Sequence, residues 1–570
     1  MFTAETSNAA TDVRSPEGTA AWCIVLAALV SAAIAAPLCL QPIWDTDAGW
    51  HVAVGRLIRE GHFPDANALS WTAPAHPWYP TSWLFDLLAA IGADALPGTL
   101  GLQLLTFAFV AGFGFLLARA CANEDPEHGA WIVPAITVLF ATRMVPRPHI
   151  ASWVALAATL WLGPVSTRAR TIGVFVLALA GNLHSGAAFA AFVLALHCIE
   201  AYWRTRRPVE LALAAACGVA LIANPGALFN LRYLDQHLHV GEVVRLTEFD
   251  RPTLLQQPVF WALLPVSLGL AIRRARERPA LLAATIVFAA LGLRADRMTF
   301  EFEIVAAPTL ASGILWLRHT SGRRAAALAG ALFFLACAAS RRVDRWPAGL
   351  HLSPTWDAHR QPVRAARFIA EHGLSGAHFN SFSDGGYLEY ALPHLPAFLD
   401  GRVQAYPPEL FNELQQAERS RADFDRFLRS RGVEWAVTTR IRERLGGYRL
   451  LEPPGWALVY WDDIDEIWLR RDVPALQPLA NELEYRHLHP YGQIVGGVAA
   501  LPAGELPVLW SELDRFEKAS PADPFALVVR CAAAHRMARP DAGAVCDAAY
   551  RRAPSAPVRA LIDKAVALHP

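Results

Sequence analysis

Two carboxylates, Asp45 and Asp47, stand directly after the first long apolar run of this chain, in Trp44-Asp45-Thr46-Asp47-Ala48-Gly49-Trp50-His51. An acid pair at the mouth of a membrane span can take a proton from an attacking hydroxyl, hold a divalent cation such as Mg or Mn, or do both. From Trp50 onward the apolar positions Trp50, Ala53, Val54, Leu57 and Ile58 follow the i, i+3, i+4, i+7, i+8 pattern. That pattern predicts a helix lying in the membrane interface. Asp47 stands near its start, where a carboxylate caps free N–H groups, and His51 follows one turn later, placed to orient that carboxylate. The structural alternative for the pair is a helix cap plus a solvated acid.

Cationic and polar groups recur in the later loops on the same side. Arg143-Met144-Val145-Pro146-Arg147-Pro148-His149 is rigid and doubly cationic, and Asn182-Leu183-His184-Ser185-Gly186 falls at a span boundary. Asn224-Pro225-Gly226 opens a longer loop with His237, His239, Glu242, Glu248 and Asp250, and Arg294-Ala295-Asp296-Arg297 leads to Glu301 and Glu303. Arginine suits phosphate because its planar fork makes paired, charge-assisted hydrogen bonds. Arg143, Arg147, Arg294 and Arg297, with His149, Asn182 and His184, are therefore the candidate substrate-binding set, for a phosphate or pyrophosphate at headgroup depth. Taken singly, each arginine also fits snorkelling to lipid. The aromatic stretch from Trp71 to Trp83 fits an interfacial anchor better than a sugar platform.

What must position these groups is a set of membrane helices. The chain has 570 residues, 54% of them hydrophobic, and a formal net charge of zero, which gives no reason to expect a nucleic-acid partner. Apolar segments at 21–41, 98–121, 130–145, 149–163, 171–181, 185–203, 209–223, 256–273, 279–293, 302–317 and 323–340 give about eleven spans. The plain basic loops Ser166–Arg170, Trp203–Pro208, Arg273–Pro279 and Arg318–Arg324 are cytoplasmic by the positive-inside rule. The polar clusters then fall on the outer face, as does everything after Ser340. The first span reads as a retained helix rather than a cleaved leader.

The chain divides into a transmembrane domain over 1–342, an α/β domain over 343–473 and a helical segment over 474–570. Short β-like runs at Ala377–Asn380, Ala397–Leu399, Glu434–Thr438, Ala457–Tyr460 and Glu466–Leu469 alternate with amphipathic helices at Val363–Glu371, Leu410–Glu418 and Phe424–Arg431. Pro524–Tyr550 reads as a helical hairpin turning at Arg539-Pro540-Asp541. Of eight cysteines, Cys531 and Cys546 alone lie in this C-terminal tail. Outside the cytoplasm they can form a disulfide, and buried thiols are the alternative.

The acid pair, the interface helix and the outer polar loops together resemble the GT-C class of integral-membrane glycosyltransferases. More closely, Asp45-Thr46-Asp47-Ala48-Gly49-Trp50-His51-Val52-Ala53-Val54-Gly55-Arg56 resembles a bacterial family of polytopic GT-C-like proteins, mostly uncharacterised. Further matches are Ser70-Trp71-Thr72-Ala73-Pro74, Arg147-Pro148-His149, Asn182-Leu183-His184, Asn224-Pro225, Ala307-Pro308, Gly385-Gly386-Tyr387-Leu388 and Asp400-Gly401-Arg402 with Tyr406. The resemblance covers about residues 20–470. It implies a sugar donor carried on a polyprenyl phosphate, a glycan, lipid or protein acceptor, and membrane lipid around the site. Asp45 or Asp47 would act as base, with His51 as orienter. The chain departs from the class where a second acidic motif is common: Arg143–His149 offers no carboxylate, and Glu248, Asp250 and Glu301 are candidates for the role. Ser383-Asp384 stands where relatives have an aromatic residue before the paired glycines. Those glycines and Asp400-Gly401-Arg402 also fit a purely structural part, a tight turn and a turn closed by an ion pair.

The reading is an α-helical polytopic membrane protein with a C-terminal extracytoplasmic α/β domain and a helical tail. It would be an inverting glycosyltransferase working on the periplasmic face of the bacterial inner membrane. The runner-up is a non-catalytic scaffold or a lipid-linked saccharide transporter with a degenerate site. Nearly charge-free span interiors favour surface chemistry over transport.

Overall fold

A computed structural model describes residues 16–229, 247–340, 352–440, 450–490, 494–521, 523–553 and 555–567. His237, His239 and Glu242 of the long outer loop lie outside the described residues. The chain forms two units. The first comprises Met1–Ile43, Val54–Asp65 and Trp78–Thr355, and the second Trp44–Ala53, Ala66–Pro77 and Trp356–Pro570.

The first unit is helical. Its helices are α1 (Pro16–Cys39), α2 (Ala48–Arg59, whose second half belongs here), α3 (Trp83–Ala95), α4 (Leu100–Ala122), α5 (Val133–Leu139), α6 (His149–Leu162), α7 (Thr167–Leu183), α8 (Ala187–Thr205), α9 (Pro208–Ile222), α10 (Pro258–Arg273), α11 (Pro279–Arg294) and α12 (Thr299–Ser340). Every apolar segment expected from the sequence falls on helix. Among the described residues four stretches, Ala21–Cys39, Leu100–Ala122, Ala187–Thr205 and Asp296–Ala339, are long and apolar enough to cross a membrane, and five further apolar helices are shorter. The expected loop Arg318–Arg324 is instead a break within α12, made by Gly322 at φ 87°, a conformation that costs glycine little. The helix α3 escaped the sequence reading because its 13 residues are too short for a span.

Small residues and buried polar pairs set the packing here. A methyl on Gly101 would sit 1.8 Å from the Gly92 carbonyl oxygen, so α3 and α4 touch backbone to backbone. Gly55 meets the Asp86 carbonyl in the same way, which seats the second half of α2 on α3. Arg170 on α7 makes two 2.7 Å bonds to Glu210 on α9, with a third bond to the Gly163 carbonyl. A buried guanidinium needs this full set of partners. Glu124 receives both Arg274 and Arg278, so part of the basic loop is tied to an acid.

The second unit carries a four-stranded sheet: β1 (His378–Asn380), β2 (Trp435–Thr439), β3 (Trp456–Trp461) and β4 (Asp465–Arg470). The order is β1-β2-β4-β3, with β1 parallel to β2 and the other pairs antiparallel. Trp435, Val437, Ala457, Val459, Ile467 and Leu469 are fully buried in one core with Ile369, Leu374 and Leu388. Burying each such side chain contributes about 1.5–3 kcal/mol. The run Ala397–Leu399 is not a strand of this sheet. Ala397 pairs instead with the first outer loop, donating to the Leu69 carbonyl at 2.9 Å and accepting from the Trp71 amide at 3.2 Å. The isolated apolar triplet gave no sign of which partner it would find.

Beyond the sheet the chain is helical. Glu512, fully buried, accepts the amides of Arg486, His487 and Leu488 at 2.7, 3.1 and 2.7 Å and so pins that turn. Pro524–Arg536 and Ala542–Arg552 form the expected hairpin, with Arg539 and Asp541 hydrogen-bonded at its turn. Cys531 and Cys546 are joined by a disulfide.

Asp384, buried before Gly385, takes the Ser383 hydroxyl at 3.1 Å. Burial, opposed by the Ser383 hydrogen bond and joined by the charge on Asp462, pushes its carboxyl up to about 7. Unfolded, it titrates near 4, so the folded state loses stability as pH rises from about 4 through 7. Asp384→Asn should therefore melt higher than wild type at pH 8, by a few degrees, with the gap closing toward pH 4. Tryptophan fluorescence melts of the detergent-solubilised chain at both pH values check this.

Candidate functional site

The helix that starts at Ala48 is capped by the first acid of the pair, not the second. Asp45, 2% exposed, accepts the amides of Asp47 at 3.0 Å and Ala48 at 3.1 Å through Oδ1. The expected cap was Asp47. The register puts the first free amides two and three residues after Asp45, which is the reach of a cap. Asp47 is half-buried, and its Oδ1 accepts the Thr46 hydroxyl at 3.5 Å. His51 is buried with its ring 3.6 Å from that of Trp50, and its amide bonds the Asp47 carbonyl at 3.3 Å.

Glycines hold this turn close to the α/β part of the second unit. A methyl on Gly49 would lie 2.1 Å from the Gly386 carbonyl oxygen, and one on Gly386 would lie 2.3 Å from that of Thr46. A methyl on Gly401 would lie 2.1 Å from Asp47 Oδ1. The paired glycines and the Asp400-Gly401-Arg402 turn thus seat the acid pair directly, beyond the turn-forming part expected of them.

Behind Gly401 lies a fully buried charge cluster. Arg402 donates to Asp400 through its amide at 2.7 Å and Nε at 2.9 Å, and to Glu389 at 3.0 Å. Tyr406 donates its hydroxyl to Asp400. Burial, then the neighbouring charge of Asp400, hold Glu389 well above the usual carboxylate range. Against burial, Arg402 and these hydrogen bonds hold Asp400 below it. One cation then faces one anion and one protonated acid, an arrangement that balances. The guanidinium also lies 5.9 Å from the Trp50 ring.

The arginine set gathers in the first unit. Arg143 donates to Glu248 Oε2 at 3.1 Å and Arg297 to its Oε1 at 3.2 Å. Arg143 also lies over the Phe300 ring and Arg297 over Phe249, both at 5.1 Å. Burial favours the neutral Glu248 acid, but Arg297, Arg143 and Arg147 outweigh it and bring the carboxyl down to about 2. Arg147 therefore belongs to the cluster. Sequence reasoning named Glu248 only as an alternative acid. Its place between two arginines depends on contacts 105 and 49 residues away along the chain.

The remaining candidates divide. His149 donates from Nε2 to the Arg143 carbonyl at 3.0 Å and packs its ring edge-on to Trp153. His184 accepts at Nδ1 from the Gly186 amide at 3.2 Å and lies 2.6 Å from the Ser152 hydroxyl. The amide can only donate, so the proton sits on Nε2. Burial and then the charge of Arg297 push His184 down to about 3, leaving a neutral ring beside the cluster. Asn182 uses its amide structurally, accepting from Trp83 at 2.7 Å and donating to the Ala178 and Ala223 carbonyls at 2.7 and 2.8 Å. Asn224 likewise donates to the Thr81 and Gly181 carbonyls. Arg294 is exposed at the end of α11 and makes no ion pair with a described residue.

A cation at the acid pair would find few protein ligands. Among the described residues the one convergent group of three donors is Cys531, His535 and Cys546, and its two sulfurs are already bonded to each other. Asp45, Asp47 and His51 do not form such a group. One or two carboxylates suit a hard cation that keeps most of its water.

No protein-family model matches the chain, and no curated protein matches it. Among solved structures it aligns with the Archaeoglobus fulgidus oligosaccharyltransferase in complex with Zn and sulfate at TM-score 0.46 and 14% identity, over 73% of this chain and 68% of that one. It aligns with ArnT from Cupriavidus metallidurans bound to undecaprenyl phosphate at TM-score 0.47 and 13% identity, over 80% and 98%. The apo form of that ArnT gives 0.45 and 14%, over 79% and 97%. Likeness at this level carries no argument about activity, and the functional reading rests on this chain's own residues.

The cap and the glycine seat give separable expectations. Asp45→Ala should cost about 1 kcal/mol through the lost cap while Asp45→Asn costs little, because asparagine caps as well as aspartate. Gly49→Ala should cost about 1–3 kcal/mol, since its methyl meets backbone rather than a movable side chain. Melting temperatures of the three variants in one detergent check the ranking.

Proposed function

We propose that this chain is a membrane glycosyltransferase that moves a sugar from a polyprenyl-phosphate carrier to an acceptor hydroxyl on the periplasmic face of the bacterial inner membrane. The observation that carries the reading is the convergence of Arg143 and Arg297, from two loops between apolar helices, on one carboxylate that the charge of Arg147 also stabilises. Guanidiniums gathered at the ends of membrane helices suit a lipid-borne phosphate. The disulfide in the C-terminal segment fits an oxidising compartment, as does the basic character of the opposite loops. The acceptor, a glycan, lipid or protein, would be chosen by parts of the second unit.

In the proposed reaction Asp47 takes the proton of the acceptor hydroxyl. The oxygen bonds to the anomeric carbon, and the bond from that carbon to the phosphate oxygen breaks, leaving the electron pair on the phosphate. Attack from the opposite side inverts the anomeric centre. Arg143, Arg147 and Arg297 hold the phosphate and stabilise its growing charge. Asp45 is the weaker candidate for base, because its Oδ1 already holds two amides. His51 packs against Trp50 and would hold the turn that carries Asp47. His184 lies beside the arginine cluster as a neutral donor through Nε2, and His149 uses its one N–H to hold the Arg143 carbonyl.

The second reading, a scaffold with a degenerate site, keeps the same loops for folding alone. A deletion strain expressing wild type, Asp47→Asn or Asp45→Asn at matched levels separates the two, with mass spectrometry of envelope glycans as readout. A sugar restored by wild type and Asp45→Asn but reduced at least 100-fold with Asp47→Asn is the expected result, on the scale of general-base loss. Equal restoration by all three removes Asp47 from the mechanism, and absence of any glycan change favours the scaffold.

A further inference from the structure

The arginine pocket already holds an anion of its own. Glu248 meets Arg143 with one oxygen and Arg297 with the other, at 3.1 and 3.2 Å. Well-formed guanidinium–carboxylate bonds are about 2.7–2.9 Å. The three side chains are 23%, 22% and 28% exposed for Arg143, Arg297 and Glu248. The same unit shows what a structural brace between helices looks like: Arg170 and Glu210 make two 2.7 Å bonds, with their side chains 7% and 0% exposed. Glu248 is looser and wetter than that brace, and it sits on a three-residue turn, Thr247–Phe249, rather than on a helix.

The bridging posture matters as much as the looseness. Two carboxylate oxygens, one on each guanidinium, take up the places that two oxygens of a phosphate would use. Phe249 under Arg297 and the bond from the Asp296 amide to the Asp250 carbonyl at 2.8 Å keep the turn beside the pocket. A tethered carboxylate acts at high effective concentration. It would therefore compete steadily with any phosphate at headgroup depth, including the phosphodiesters of bulk lipid.

We propose that Glu248 is a built-in competitor for the phosphate that this pocket binds. It occupies Arg143 and Arg297 between catalytic cycles and gives them up to an incoming polyprenyl phosphate, which also engages Arg147. The competition sets a threshold that common phospholipids do not pass. This rests on the polyprenyl-phosphate reading of the pocket.

The test uses the full-length chain in detergent, with a short-chain polyprenyl monophosphate and phosphatidylglycerol as the two probes, and binding read by native mass spectrometry. E248Q should bind the monophosphate at least about tenfold more tightly than wild type, as removal of one adjacent charge allows. Phosphatidylglycerol should gain by a similar factor. E248D, whose shorter arm cannot span both guanidiniums, should fall between wild type and E248Q. Equal or weaker binding by E248Q, or unfolding of both variants, makes Glu248 a brace and overturns the proposal. If Arg297→Ala abolishes wild-type binding while E248Q gains nothing, the pocket reading stands and the competitor fails. If neither wild type nor E248Q binds the monophosphate, both fall together.

Discussion

A guanidinium taken out of water has to be neutralised where it sits, and that constraint shapes both halves of this molecule. In the second unit Arg402 is 3% exposed, and Asp400, Glu389 and Tyr406 close around it. Removing one partner from such a set leaves an uncompensated charge, which costs about 3–5 kcal/mol. The turn that carries Arg402 therefore cannot drift. Gly401, within it, is pressed against Asp47. The position of the acid pair is thus inherited from a charge that must stay paired, several residues away from any chemistry the pair performs.

The first unit answers the same constraint in two ways. Arg170 is buried and given short bonds to an acid and a carbonyl, so the ends of α7 and α9 are locked together. Arg143 and Arg297 are left partly wet and share one carboxylate between them, with Arg147 close by. The contrast separates an arginine that is buried and braces two helices from arginines that keep part of their surface open, a division that the residue type alone does not make.

This is also where the sequence stops being informative. Apolar runs located every helix expected of them, because a span of that composition has one physical use. Four of five β-like runs became strands, and the fifth, Ala397–Leu399, paired with a loop more than 300 residues earlier. Local periodicity carries no information about such a partner. The same holds for the site. Asp45, Asp47, Arg143, Arg147 and Arg297 were legible as types in a pattern, but which acid caps the helix is a matter of register. Asn182 looked like a ligand-binding residue and proves to have its amide engaged by Trp83 and two carbonyls. A polar side chain at the end of a membrane helix serves the backbone as readily as a substrate, because free carbonyls there need donors too.

The division of labour within the acid pair follows from the same accounting of backbone groups. A helix opening at Ala48 presents free amides, and the nearest carboxylate of suitable reach is that of Asp45. That oxygen, accepting two amides, is committed to holding the turn. The Asp47 Oδ1 faces Gly401, where no side chain intrudes, and accepts the Thr46 hydroxyl at 3.5 Å. One acid of the pair is thus used in building the turn that carries the other. A glycine opposite is what leaves the second carboxylate room to stand there.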